Sequence, residues 1–323
     1  MSQPAERQYL HDGVPTFLNA HRVERAADLS DFDAVVLGVP YMFPLFGFDA
    51  DLTPRKVRQA GLRYSTTYLP EYDLEVFGAL RVADWGDVPI DPSDVTGSVA
   101  RVEERVLAVL EAGALPITLG GSAPCSGYSS AAALSRFLGG APVGAINLDA
   151  HGDNREHWQG DASLSAMTWV RHQLQLPGFY PQQHVQLGMR GPGNPQANAH
   201  WYRDQGATLI TGRDLHTRPA TDWMRWALEV ASQQTQGIWY GIDWDVLDMG
   251  ANPEWVYPEP LGMAQADLLK LSFEVGRRGC LALSTMSSPA HLPSMHWTVI
   301  WTVLHLLAGV AVHRGRAQAP SWI

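Results

Sequence analysis

From residue 33 onward, short apolar runs alternate with longer stretches in which apolar residues recur at helical spacing. That alternation predicts a mostly parallel β-sheet with crossover helices. The runs Ala34–Val39, Arg81–Ala83, Leu115–Leu119, Val143–Leu148, His184–Gly188, Thr208–Ile210, Ile238–Ile242 and Cys280–Leu283 are the candidate strands. Most are unbroken β-branched or leucine-rich segments, as expected where both faces of a sheet are covered.

Punctuation marks the helices between them. Thr53-Pro54 offers an N-cap residue before a proline at the first helical position and opens a helix over Arg55–Leu62. Val99, Val102, Val106, Val109 and Leu110 keep helical spacing until Gly113. Ala264–Arg278 and Trp297–Val312 supply the last two helices. The latter is the most apolar stretch of the chain, but His305 interrupts it and it falls short of the roughly 20 residues of a spanning helix, so it reads as a buried core helix. No internal repeat or low-complexity linker appears, which favours one domain over residues 33–323 behind an N-terminal extension, 1–32. Such an extension is ordered only if it packs on the domain or on another subunit.

Composition narrows the partners. The chain has 323 residues with 33 acidic and 23 basic side chains, a formal net charge of −10. That balance argues against a nucleic-acid or membrane-surface binder, which needs clustered Lys and Arg. Hydrophobic residues make up 46%, enough for a large core. Two cysteines, Cys125 and Cys280, match no disulfide framework or zinc ribbon. With no apolar leader in Met1–His11, a cytoplasmic location is expected.

Candidate chemistry gathers after two strands. Asp149, His151 and Asp153 follow Val143–Leu148 at alternate positions, where open α/β sheets place ligands. Alone, this segment also fits an Asp- and Gly-rich surface turn. A second acidic segment, Asp243-Trp244-Asp245-Val246-Leu247-Asp248, ends another apolar run. On an extended backbone Asp243 and Asp245 share one side; unpaired they would raise each other's pKa, and a cation between them removes that cost. Two carboxylate pairs with an imidazole suit Mn, Ni, Fe or Zn.

The Asp-Ala-His-x-Asp and Asp-x-Asp-Val-Leu-Asp segments resemble the signature motifs of the ureohydrolase family, which comprises arginase, agmatinase, formimidoylglutamase and guanidine-type hydrolases. Gly38-Val39-Pro40-Tyr41, the helix after Pro54, Ala83–Val88, Gly188-Met189-Arg190 and Pro258–Gly262 extend the likeness over roughly residues 33–312. The resemblance implies a three-layer α/β/α fold with about eight strands, a two-metal centre, and hydrolysis of a guanidino C–N bond. It implies Asp149 and Asp243 as bridging ligands, with His151, Asp153 and Asp245 completing the two metal shells.

Three positions depart from the family pattern. Gly120-Gly121-Ser122-Ala123-Pro124 stands where the family carries Gly-Gly-Asp-His-Ser, so Ala123 replaces a metal histidine and donates no electron pair. Met286, in Ser284–Pro289, replaces the glutamate that grips a guanidinium. Ala162–Ala166, with Leu164 at its centre, occupies the place of the proton-shuttling His-Gly pair. His157 and His291 lie near these segments as candidate replacements. The losses imply zero or one metal per chain, nickel or manganese, rather than two. They resemble the degenerate accessory chain of a two-subunit dimethylbiguanide (metformin) hydrolase, whose partner is a paralogous ureohydrolase subunit in a mixed oligomer and whose substrate is a small guanidino or biguanide compound. A stand-alone agmatinase-like hydrolase with an altered site and a non-catalytic binding module remain open, because fold resemblance does not separate them. Of the 12 tryptophans, Trp85, Trp158, Trp169, Trp244, Trp255 and Trp297 lie near the motifs, which fits either an aromatic pocket or interface, or core packing.

Overall fold

The computed structural model describes residues 15–42, 49–252 and 257–320; Trp255 and residues 1–14 of the extension lie outside them. Nine strands, β1 (His21–Arg22), β2 (Ala34–Val39), β3 (Val82–Asp87), β4 (Leu115–Gly120), β5 (Val143–Leu148), β6 (Phe179–Met189), β7 (Thr208–Thr211), β8 (Ile238–Asp243) and β9 (Cys280–Met286), form one sheet. Its order is β1-β3-β2-β4-β9-β8-β5-β6-β7, and every pairing in it is parallel. All eight strands expected from the apolar runs are present. The ninth, β1, has only two residues, both exposed, and so leaves no hydrophobic trace.

The central strands are buried from end to end, which is why they read as unbroken apolar runs. Successive side chains feed opposite layers. Val36 and Ile117 pack toward Val57, Leu271 and Val299, whereas Val35 and Leu37 pack toward Val102, Val106 and Leu134. One layer is therefore built by Thr53–Gly61, Gln265–Gly279 and Pro293–His313, and the other by Val95–Glu111 and Ser129–Phe137. The result is the three-layer α/β/α arrangement.

Two helix expectations change in detail. Thr53 does not cap its helix; its hydroxyl donates to the Ser288 carbonyl at 2.6 Å, and Leu52 takes the N-cap position without a side-chain bond. The long apolar helix has 21 residues, Pro293–His313, so its length and mean hydropathy of 1.6 would suffice to cross a bilayer. Burial decides its role instead: 83% of the apolar window lies inside the protein. His305 fits there because its Nδ1 sits 2.7 Å from the Tyr72 hydroxyl.

The described part of the first 32 residues packs on the domain. Phe17, Leu18, Ala20, Val23 and Leu29 are buried, and the Phe17 amide donates to Asp84 Oδ2 at 2.7 Å. Asp84 also receives a two-pronged bond from the buried Arg58 guanidinium, Nε at 2.8 Å and Nη2 at 2.9 Å, while Arg58 Nη1 reaches Asp87. Arg58 thus ties its helix to β3 and, through Asp84, to the N-terminal segment.

Candidate metal centre

Sheet register brings the acidic segments together. Ile242 on β8 pairs with Leu148 on β5, so Asp149 and Asp243 leave neighbouring parallel strands side by side. Beyond Asp243 the backbone does not stay extended. Trp244–Val246 form a single 3-10 turn, and the Asp243 carboxylate accepts the Asp245 amide at 3.3 Å. The turn, and not strand alternation, swings Asp245 toward Asp149. There Asp245 Oδ1 accepts the Ala150 amide at 2.9 Å, Oδ2 lies 2.8 Å from His151 Nδ1, and Asp149 Oδ1 accepts the His151 amide at 2.6 Å.

Asp149, His151 and Asp245 therefore offer ligand atoms that all lie within 4.8 Å of one another. Asp153 and Asp243 stand just outside this group. Asp153 has a left-handed backbone (φ 45°), and its Oδ2 accepts the Trp169 indole N–H at 2.9 Å. Asp243 lies opposite Met286 in register on β9 and takes a bond from the Ser287 hydroxyl.

The electrostatics fit a cation. Burial, and then the charges of Asp245, Asp153 and Asp243, push the Asp149 carboxyl well above its ordinary value. Asp243 is raised by burial and by Asp245, and Asp153 is pushed up to about 7, mainly by burial. Burial opposes ionisation of Asp245 as well, but the His151 imidazole outweighs it and holds this carboxyl low. The same contact lifts His151 to about 9 against its own desolvation. A proton shared between His151 and Asp245 thus partly neutralises the cluster. Asp149 Oδ2 is buried and no donor group among the described residues reaches it, while its carboxyl lies against that of Asp245 and beside His151. Such an oxygen is costly to bury unless a cation or proton satisfies it, so these residues fit a divalent metal.

The three degenerate positions supply no ligand. Ala123 is buried, and the irregular helical turn Pro124–Tyr128 follows it. Met286 is fully buried, with its sulfur packed against Gly127. Leu164 lines a neighbouring depression that shares Trp158 and Gln159 with the cavity beside His151. His157 is exposed, and His291 pairs with Asp49 at 3.1 Å; among the described residues neither joins the metal-capable group. Cys125 is buried, with its thiol pushed up to about 12, and is an inert packing group.

Several residues that hold the centre were assigned no role from the sequence, although Arg190 stood in the Gly188-Met189-Arg190 segment of the family likeness. Arg190 spans it, with its guanidinium donating to the carbonyls of Gly188, Asp245, Leu247, Glu259 and Pro260. Gln186 donates to the His151 carbonyl at 2.7 Å and accepts from Asn147 at 2.8 Å, and Asn194 accepts the Gly152 amide at 2.9 Å. For Gln186 and Asn194 a polar side chain near the sheet's edge was the only hint of this role. A cavity of about 340 Å³ opens onto His151 and Asp153, walled by Arg155, Trp158, Met167 and Tyr257. Of the described tryptophans near the motifs, Trp169 and Trp244 are core residues, Trp85 lies beneath Arg105, Trp297 packs edge-on against Tyr64, and Trp158 lines this cavity.

Comparison with known proteins agrees with this fold. A sequence model described as the arginase family matches residues 32–284. The formimidoylglutamase of Halobacterium salinarum is 30% identical over 255 residues, 77% of either chain. The guanidinobutyrase of Pseudomonas aeruginosa is 25% identical over 279 residues, 84% of this chain and 82% of its own. Among solved structures, formimidoylglutamase from Bacillus subtilis superposes with a TM-score of 0.82 at 22% identity, covering 96% of both chains. A Trypanosoma cruzi formiminoglutamase with Mn2+ has a TM-score of 0.79 at 22% identity, covering 93% of this chain and 98% of its own. At such identities the structural likenesses speak for the fold.

Proposed function

Because the chain belongs to the arginase family of ureohydrolases, we propose that it holds one divalent cation on Asp149, His151 and Asp245, with Asp243 beside them. We further propose that it is the accessory subunit of a guanidino or biguanide C–N hydrolase, of the dimethylbiguanide-hydrolase kind, in which a paralogous chain carries turnover. The supporting observation is the asymmetry of the centre. One half keeps three convergent donors, with Asp149 Oδ2 reached by no donor group among the described residues, whereas the other has Ala123 in place of a ligand and Asp153 turned onto Trp169. Manganese is favoured by the Mn2+ of the Trypanosoma cruzi formiminoglutamase structure, nickel by the likeness of the degenerate positions to the biguanide hydrolase.

A cation held by these residues would lower the pKa of water and so supply a nucleophile for a trigonal guanidino carbon. The chain's own contribution is positional. Asp245 and Asp149 present oxygens and fix the His151 ring and amide, and His151 would hold a cation only in its neutral form. What the chain lacks is a carboxylate at Met286 to orient a guanidinium. The open cavity beside His151 favours a second reading, a stand-alone hydrolase with an altered site.

Elemental analysis and urea release test the proposal together. The accessory reading expects about one metal per chain and turnover only after co-expression with a paralogous subunit. Two metals per chain, with urea released by the isolated chain, would overturn it.

A further inference from the structure

A second cavity, of about 330 Å³, lies between the helices Ala220–Ser232 and Gln265–Gly279 and shares no lining residue with the one beside His151. Helical spacing builds its floor, because Met224 and Leu228 stand four apart on the first helix and face Phe273 on the second, all three buried. Tyr72 lines it too, with its ring stacked on that of Phe273 at 4.5 Å and 7°. The floor is therefore apolar and partly aromatic, and its size falls in the range of about 300–1,000 Å³ of small-molecule sites.

The rim carries the opposite chemistry. Arg225, Lys270 and Arg278 stand exposed around this floor, and Glu274 is the one carboxylate that lines it among the described residues. Glu274 is engaged: the Arg277 guanidinium donates to both of its oxygens, Nε at 3.1 and 3.2 Å and Nη2 at 2.5 Å. Arg225 pairs with Asp222 at 3.1 Å. Glu71, whose charge acts with that of Glu274 on the Tyr72 hydroxyl, does not line the cavity. Lys270 and Arg278, eight residues apart on one helix face, remain without an ion pair among the described residues.

In a chain of net charge −10 this groove is a local exception. Cations at the mouth of a low-dielectric cleft focus their field on anions. A purely apolar ligand would fill the floor and leave the cations unused, and a small inorganic anion would meet the cations and leave the floor wet. One molecule uses both features when it joins an apolar body to an acid group.

We propose that the groove binds a small amphiphilic monoanion, an aryl or short-chain carboxylate or sulfonate, with its body on Met224, Leu228 and Phe273 and its acid group at the rim of Lys270 and Arg278. The site is separate from the metal centre, and the proposal holds whether or not the chain hydrolyses anything.

Methyl NMR on the full chain, with carbon-13 in the methionine methyls, tests it. The Met224 signal, assigned through Met224→Leu, reads the floor directly and is blind to an acid bound at a metal. The probes are phenylacetate, its neutral counterpart phenylacetamide and the cation phenethylammonium. Phenylacetate is expected to shift the Met224 methyl saturably and to bind at least about fivefold more tightly than either, the scale of an ion pair at an exposed rim. The double variant Lys270→Gln, Arg278→Gln should bring phenylacetate down to the affinity of phenylacetamide and leave the amide unchanged, whereas Lys270→Arg with Arg278→Lys should keep the preference. Raising the ionic strength should erode that preference in the wild-type chain, which preserves the test if circular dichroism shows that a variant does not fold. No Met224 response to phenylacetate up to about 10 mM, equal affinities for the three probes, or a preference that survives in the folded glutamine variant or at high salt would overturn the proposal. So would a Met224 signal that moves with protein concentration and not with phenylacetate, because a second copy of the chain would then fill the groove.

Discussion

His151 Nδ1 lies 2.8 Å from Asp245 Oδ2, while the other oxygen of the same carboxylate accepts the Ala150 amide, so one side chain from the β8 end grips two consecutive residues after β5. Asp245 is also the one cluster carboxylate held below its ordinary pKa, which makes it the anionic member in the cation-free protein. Asp245→Asn removes that charge while keeping an acceptor for Ala150. Divalent-metal affinity, measured by competition with a chelating dye, is expected to drop at least about 100-fold, beyond the effect of losing an outer hydrogen-bond partner. An unchanged affinity would remove Asp245 from the ligand set.

Restoring a histidine at position 123 is expected to leave urea release by the isolated chain at background. Ala123 is buried, so an imidazole there overpacks the site at a cost of about 1–3 kcal/mol. Asp153 would stay bonded to Trp169, and Met286 would still offer no carboxylate. A urea assay of Ala123→His with agmatine, beside its melting temperature, checks both statements; turnover from this one change would refute the view that several positions are degenerate together.

The sheet was legible because its strands are covered on both faces and therefore appear as long apolar runs, such as Val143–Leu148 and Ile238–Ile242. The edge strand His21–Arg22, exposed and two residues long, was illegible for the converse reason. In the centre, residue type and spacing pointed to Asp149, His151 and Asp245, but the geometry that joins them was hidden. A turn after Asp243 does the joining, and turns of this kind leave no periodicity. The role of Arg190, whose segment the family likeness included, and that of Gln186 were not legible because their work is done on main-chain carbonyls, whose positions only the fold determines. Asp153 shows the limit from the other side: its motif position is right, yet the Trp169 indole claims one of its oxygens.

Arg58→Leu should cost about 3–5 kcal/mol of unfolding free energy, because it leaves Asp84 buried without its counter-ion. Arg58→Lys should recover only part of this, since an ammonium cannot reproduce the two-pronged contact. Replacing both partners by leucine should cost less than Arg58→Leu alone. Urea denaturation of the variants decides the point: if the double variant is the least stable, the stranded charge is not the source of the loss.

Two buried histidines set an acid-side limit on stability. His184 on β6 stacks on Tyr202 at 5.7 Å, His305 lies between Tyr72 and Trp301, and burial pushes both down to about 4. In the unfolded chain each titrates near 6.5, so between those values the unfolded state binds protons that the folded state refuses. Their neutral forms therefore impose no penalty above pH 6.5, and stability falls as pH drops from 6.5 toward 4, by up to about 3 kcal/mol for each. Asp149 and Asp243 act with the opposite sign, because their raised values make the folded state the better proton acceptor. The wild-type profile thus mixes both effects, and a comparison isolates one of them. His184→Phe keeps a ring against Tyr202 and removes one titration, so its denaturation midpoint should fall less steeply than wild type between pH 6.5 and 4.5. Parallel profiles over that range would mean that His184 is protonated in the folded protein at its ordinary pH, contrary to its burial.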